Sequence, residues 1–479
     1  SQASACPAAA AATPNARVSA RPAKAHTMRV ASLAARSARS LRVANAQSRR
    51  MASGSMWAVH AEPASDGSVG FSVRDVPVPT RTGPSDVLIR TEAAGVNRPD
   101  WLQARGLYPA PRGHSQTLGL EVAGTVVEAA GDWAVGDRVM ALANGGAFAE
   151  LVAVPSGQVM RLPALEPERA GSVAPLVEAA GGNADAATCE AVVASAIPEA
   201  GLTVWGNLVE AGGAGPGKIC LIHGASGGVG GMAVAVARRL GCVVVAMASG
   251  EEKAEAALAL GADLVLDYKR VDFKEVLRLP EVDRALVDLA AARAEDALRR
   301  VDGVPLSARS LEGHVPDPAA SKRPLGCVDV VLDMLGGSAI QQSVDCCAYK
   351  GAVVSIGQQA GRKCELDMTK LMLRRVTLTG STLRSKTNAD KANLASEFAR
   401  FAEQTRLVAA CQLDGDDASL RAAVEGLEGV RVNALAGRVA PAPKIERVFA
   451  ADRAGDAFAW LNSGAVTGKA VLLPPARRS

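Results

Sequence analysis

The chain has 479 residues, 48% of them hydrophobic and 21% charged, with a net charge of +4. That length allows about three domains with sizeable cores, and the composition excludes a disordered or fibrous chain. The positive charge is no nucleic-acid footprint: the first 56 residues hold eight Arg and one Lys and no acid, so the rest carries five more acids than bases.

Taken in order, residues 1–55 are rich in Ala, Ser and Arg. An Arg-rich, acid-free composition is that of an organelle transit peptide. Val30, Leu33, Leu41 and Val43 among spaced arginines suit an amphipathic targeting helix. The expected destination is the mitochondrion or a plastid, or the cytoplasm if translation starts at Met51 or Met56; the competing reading is a disordered tail with no targeting role.

Strand texture begins at 56–59. Residues 86–90 alternate as a half-buried strand does, and glycine-punctuated apolar runs follow at 118–127, 138–139 and 145–152. Many short strands with glycine turns argue a β-rich domain of barrel type. From 201 the texture changes to strands at 219–222, 243–248, 264–266, 328–333, 352–356 and 376–378, with helical patterns ending near 240, 260 and 348 between them. That is a βαβ series, hence a doubly wound parallel sheet. Residues 444–475 return to strand, helix and strand. Three stretches, 165–195, 280–326 and 412–438, interrupt this order and show no obvious strand. No run of about 18 apolar residues occurs, so no membrane span is expected.

The nine cysteines are odd in number and contain no C-x-x-C, which suits a reducing compartment without structural disulfides. The vicinal pair Cys346–Cys347 reads as core packing ahead of a redox pair.

Residues 218–240, KICLIHGASGGVGGMAVAVARRL, carry the strongest local signal. An apolar strand leads through Gly224, Gly227 and Gly230 into a helical pattern. Small residues let the backbone approach a pyrophosphate, and the helix N-terminus offers free N–H groups with a partial positive charge. The next strand ends Ala248-Ser249-Gly250 with no acid to bind a ribose 2′-hydroxyl, and Lys253 follows.

In the same order stand GVNRPDWLQARGLYP (95–109), LGLEVAGTV (118–126), AIPEAGLTVWGNL (196–208), LIHGASGGVG (221–230), GADLVLDYK (261–269), VVLDMLGG (330–337) and TGSTLRSKTNADK (379–391). Together they resemble the medium-chain dehydrogenase/reductase superfamily, and within it the zinc-free NADPH:quinone oxidoreductases of the stress-inducible branch. The resemblance implies an α/β fold: a GroES-like β-barrel catalytic domain at 56–200, completed by 384–479, around a Rossmann NADPH-binding domain at 201–383. It also implies a homodimer joined through an edge strand near 376–379.

By the same resemblance Gly227, Gly228, Val229 and Gly230 hold the pyrophosphate, and Ser249, Lys253 and Tyr268 meet the 2′-phosphate of NADPH. Thr203, Gly357 and Leu383 lie around the nicotinamide. Asn97 orients a substrate carbonyl, Tyr108 acts as donor or stacking platform, and Asp100 on the same loop is more structural than catalytic. Zinc-dependent relatives have Cys and His where this chain has Asn97 and Leu120, so no metal is expected. The implied activity is NADPH-dependent reduction of quinones or reactive carbonyls, small-molecule substrates, by direct hydride transfer. The alternatives are a mitochondrial enoyl-thioester reductase and a non-enzymatic NADPH-binding protein.

Overall fold

Period-two patterning builds the first sheet. The computed structural model describes residues 54–81, 83–300, 326–412, 418–433 and 438–475, so the expected targeting segment lies outside it apart from its last two residues. Strands β1 (Ser55–Pro63) and β2 (Val69–Pro77) pair with each other. The long strand β3 (Asp86–Val96) buries Val87, Ile89, Ala94 and Val96 in one core and pairs antiparallel with β4 (Glu121–Glu128). Strands β5 (Arg138–Leu142), β6 (Leu151–Pro155) and β7 (Val159–Arg161) extend this sheet, with β6 on the same strand β3. A short helix, α1 (Arg98–Ala104), leaves the end of β3 with Pro99 in its first turn, where a missing N–H is harmless.

The first interrupting stretch is helical: α2 (Pro167–Ala179) and α3 (Ala186–Ala194), the latter capped by Asp185, whose carboxylate accepts the Thr188 N–H at 2.8 Å. Helix α4 (Pro198–Val204) then runs into a π-helical turn, Trp205–Ala211. The whole run from Ala186 to Ala211 is long and apolar enough to cross a membrane, but 78% of its most apolar window is buried inside the protein. Its apolarity therefore serves a core.

A seven-stranded sheet follows, in the order β13 (Thr377–Gly380), β12 (Cys347–Ser355), β11 (Val328–Asp333), β8 (Ile219–Ile222), β9 (Val243–Ala248), β10 (Leu264–Asp267) and β15 (Val430–Val432). Strands β8 (Ile219–Ile222), β9 (Val243–Ala248) and β10 (Leu264–Asp267) alternate with helices α5 (Gly228–Arg239) and α6 (Glu251–Ala259). Short α7 (Phe273–Val276) precedes α8 (Pro280–Arg300). Then come β11 (Val328–Asp333), α9 (Ala339–Cys346), β12 (Cys347–Ser355), α10 (Met368–Arg374) and β13 (Thr377–Gly380). The central strands are buried on both faces, which is why they read as unbroken apolar runs.

The second interrupting stretch has no strand among its described residues, as expected, whereas the third holds one that the sequence reading did not show. Residues 280–300 form α8, whose Val282, Leu286, Leu289 and Ala290 pack under the sheet at helical spacing. Arg293 on that helix is buried and pairs with Asp263 at the start of β10, with one N–O distance of 2.6 Å. In the third stretch β14 (Cys411–Gln412) pairs with β16 (Arg438–Val439), and β15 (Val430–Val432) lies antiparallel on β10. The segment after 384 therefore does not return wholly to the barrel; part of it seals an edge of the nucleotide-type sheet. Its strands are two or three residues long, too short for a periodicity signal.

Helix α11 (Asn388–Gln404) opens with Thr387 and Asp390 in a reciprocal cap, and α12 (Ala418–Ala423) packs against α8. Strand β17 (Ile445–Ala450), α13 (Ala454–Asn462) and β18 (Lys469–Leu473) complete the first sheet, with β18 antiparallel to β3. This matches the strand, helix and strand expected at 444–475. Residues 56–479 are one compact unit. Cys346 and Cys347 are both buried; burial pushes the Cys346 thiol up to about 12 and Cys347 higher still, so neither is a ready thiolate.

Candidate active site

Helix α5 begins at the glycine-rich turn. Gly224 takes φ +59°, and a Cβ on Gly230 would stand 2.1 Å from the Gly224 carbonyl oxygen. The turn closes only because Gly230 has no side chain. A Gly230→Ala variant should lose about 1–3 kcal/mol from forced overpacking, measured by chemical denaturation, and should bind a dinucleotide more weakly. At the end of β8, His223 Nδ1 lies 3.0 Å from Asp333 Oδ1, and Asp333 also accepts Ser355 Oγ at 2.8 Å and the Gly336 N–H at 3.0 Å. One carboxylate thus ties together the C-terminal ends of β8, β11 and β12, the edge where open α/β sheets bind ligands.

A cleft of about 900 Å³ opens at this edge. Gly227, Gly228, Val229 and Gly230 line it, as do Ser249, Lys253 and Tyr268 at one end and Asn97 at the other. These eight residues, singled out from sequence, are brought together. Thr203, Gly357 and Leu383 do not line this cleft. Thr203 precedes the π-helical turn and gives its carbonyl to Asn207 Nδ2 at 2.8 Å. Gly357 packs on Met334, its carbonyl accepting from Ser355 Oγ at 3.2 Å, and Leu383 is buried.

The loop from β3 places the remaining residues. Asp100 is fully buried and accepts the Asn97 N–H at 2.9 Å and the Gly119 N–H at 3.1 Å. Each oxygen holds a backbone donor, so Asp100 fixes the loop and does not face a ligand. Asn97 donates from Nδ2 to Glu121 Oε1 at 2.9 Å and accepts from Lys469 Nζ at Oδ1, 2.6 Å. Lys469 also bonds Glu121 directly, and the Glu199 N–H reaches Glu121 Oε2 at 2.9 Å. Gly95 permits this cluster: a Cβ there would lie 2.1 Å from Glu121 Oε1.

Lys469 and Glu121 form a buried ion pair, 4% and 0% exposed. The lysine stem runs along the glycine turn, since a Cβ on Gly228 would meet its Cδ at 2.5 Å. Sequence reasoning passed over Lys469. The available signal was a lysine inside the apolar run GKAVLLP.

Tyr108 lies apart from Asn97, on a second cavity of about 580 Å³ that Arg384, Lys386 and Lys391 also line. The Arg384 guanidinium sits 4.4 Å from the Tyr108 ring centre, a cation–π contact. It also donates to the Tyr108 carbonyl at 2.8 Å and Gln103 Oε1 at 2.8 Å. Burial raises the Tyr108 hydroxyl pKa.

Glu199, at the start of α4, lies within electrostatic range of Glu121, Asp100, Lys469 and Arg384. Burial and the two carboxylates push it up to about 8; burial pushes Asp100 up to about 7. In an unfolded chain both ionise near 4. Between about pH 4 and 8 the folded state therefore holds protons that the unfolded state has lost, and stability falls as pH rises. Denaturation midpoints should drop from pH 5 to 8.5, and Glu199→Gln should flatten the fall between pH 7 and 8.

Among the described residues no three His, Cys, Asp or Glu converge on a metal position. The donor set at Asn97 and Glu121 does not suit zinc, because the Lys469 ammonium is bonded to both oxygens.

Comparison with known proteins agrees with this geometry. Residues 83–164 match the alcohol dehydrogenase GroES-like domain, and residues 228–293 and 316–400 match the zinc-binding dehydrogenase domain. The chain belongs to the medium-chain dehydrogenase/reductase superfamily. Among solved structures of this superfamily's fold, the Escherichia coli quinone oxidoreductase complexed with NADPH aligns over 88% of this chain and all of its own, with a TM-score of 0.56 and 20% identity. The polyketide synthase GfsB of Streptomyces halstedii is 35% identical over 225 residues, 46% of this chain and 4% of that protein. The mouse synaptic vesicle membrane protein VAT-1 homolog is 30% identical over 204 residues, 42% of this chain and 45% of that protein. The matches thus span less than half the length of these curated relatives.

Proposed function

We propose that this medium-chain reductase uses NADPH to reduce quinones or related reactive carbonyls by direct hydride transfer, without zinc or flavin. The observation that carries the reading is the cleft itself. Its glycine turn and helix N-terminus suit a pyrophosphate, its far end gathers Ser249, Lys253 and Tyr268, and its near end holds the Lys469–Asn97–Glu121 cluster. When bound, the dinucleotide supplies the hydride.

The chain's own groups do the rest. Lys253 and Tyr268 give a cation and a hydroxyl donor to a 2′-phosphate. Both ends of the Asn97 amide are engaged by the cluster, so Asn97 acts by holding Lys469. Lys469 keeps a third N–H for a ligand oxygen on which charge develops. Tyr108, on the neighbouring cavity, is the proton donor in this reading, and burial beside two carboxylates favours a proton on Glu199. The exposed edge strand β13, with Leu378 on it and Met372 and Leu373 on α10 beside it, suits a homodimer contact. Sedimentation would then give twice the chain mass. The acid-free N-terminus supports delivery to an organelle.

The polyketide synthase relatives favour a second reading, reduction of an enoyl thioester. The test is NADPH oxidation with naphthoquinones or phenanthrenequinone against a trans-2-enoyl-CoA. Turnover of the quinones alone is expected. Turnover of the thioester alone would transfer the assignment to the second reading, and NADPH binding with no acceptor reduced would leave a non-enzymatic binding protein.

A further inference from the structure

The short strand β15 lies where the cofactor cleft ends. It pairs with β10 from Leu264↔Val432 to Leu266↔Val430, and the Gly429 carbonyl accepts the Asp267 N–H at 2.9 Å. Asn433, just beyond it, anchors the segment by donating to the Ala262 and Leu258 carbonyls at 2.9 and 3.1 Å. This pairing sets residues 428–431 beside the tips of β9 and β10. The cleft wall there contains Ser249, Lys253, Tyr268, Lys269 and Arg270.

Two ion pairs connect the segment to that wall. Arg431 Nη2 lies 2.9 Å from Glu251 Oε1, and Arg270 Nη1 lies 3.1 Å from Glu428 Oε1. Glu251 stands two residues before Lys253 and would otherwise compete for it or repel an anion. Lys253 instead donates to the Gly464 carbonyl at 2.6 Å, an uncharged partner that a phosphate can replace. Asp267, at the tip of β10, accepts the Gly250 and Lys269 N–H groups of its own turn, each at 3.0 Å, and does not line the cleft.

We propose that the β15 segment is a cofactor-selecting element, in which Arg431 neutralises Glu251 and Glu428 restrains Arg270, so that these two residues set the preference for a 2′-phosphorylated dinucleotide from opposite sides. The proposal rests on the reading that the cleft takes NADPH. Both pairs are exposed, so each is worth little to stability. Their effect is on the local field felt by a dianion, and it is screened by salt.

The experiment is calorimetric titration of the full chain with NADPH, NADH, 2′,5′-ADP and 5′-AMP. Arg431→Ala should weaken NADPH and 2′,5′-ADP by roughly three- to fivefold, a shift of the size of one exposed charge pair, and leave NADH and 5′-AMP unchanged. Glu428→Gln should free Arg270 and tighten the same two ligands. Both shifts should shrink at high salt. Equal weakening of all four ligands by Arg431→Ala would mean a structural role and overturn the proposal. No shift from either variant, while Lys253→Ala still abolishes the preference, would overturn the proposal and leave the NADPH reading intact. No preference for NADPH in the unmodified chain would overturn both.

Discussion

Lys469→Met should lower the unfolding free energy by about 3–5 kcal/mol, because it leaves the fully buried Glu121 carboxylate without its cation. The remaining partners of Glu121 are two neutral donors, Asn97 Nδ2 and the Glu199 N–H. They hold the carboxylate in place but cannot offset its charge away from water. The double variant Glu121→Gln/Lys469→Met should recover most of the loss, since it removes the stranded charge along with its partner. Denaturant titration of the three proteins measures this directly. A Lys469→Met chain as stable as the parent would mean that water reaches Glu121. The double variant should still bind NADPH poorly, because the lysine whose stem runs along Gly228 at the glycine turn no longer offers an N–H to the cleft. Stability and binding therefore separate: the first returns with the second substitution and the second does not.

Lys253→Ala should reduce NADPH affinity by about 10- to 100-fold, the worth of one hydrogen bond to a charged group, while NADH affinity stays where it was. The lysine stands on the first turn of α6 and reaches across to the Gly464 carbonyl in the loop before β18. Exchanging that carbonyl for a dianionic phosphate gains a charge-assisted bond. NADH has a ribose hydroxyl at the same place and gains nothing comparable. Tyr268, exposed at the same end of the cleft, should contribute less, because its hydroxyl gives a neutral donor. Paired titrations with the two cofactors settle the point: an unchanged NADPH/NADH ratio in Lys253→Ala would remove the phosphate from this end of the cleft.

The two predictions also differ in how far each residue could be read in advance. Lys253 follows a recognisable strand tip within a few residues, and the missing acid at Ser249 marks the position. The same holds for Gly227, Gly228 and Gly230, where turn and helix start are local events encoded by adjacent residues. Strand and helix alternation from 219 to 380 is legible for a similar reason, since each element buries one face and its periodicity records that burial. Asn97 could be found from its motif, but not its partners.

Chain-local physics therefore marked the strand and helix alternation, the glycine turn and the acid-free strand tip before Lys253, with no fold in hand. Tertiary structure alone decided the rest. Lys469 meets Glu121 and Asn97 across 348 and 372 residues of chain, and no periodicity encodes a contact at that range. Strand β15 is three residues long and becomes a strand only because β10 offers it an open edge. Asp100 reads in sequence as more structural than catalytic, but what it holds is decided only when the loop closes and two backbone N–H groups converge on it. A buried charge is tolerated only where its partners meet, and the fold brings them together.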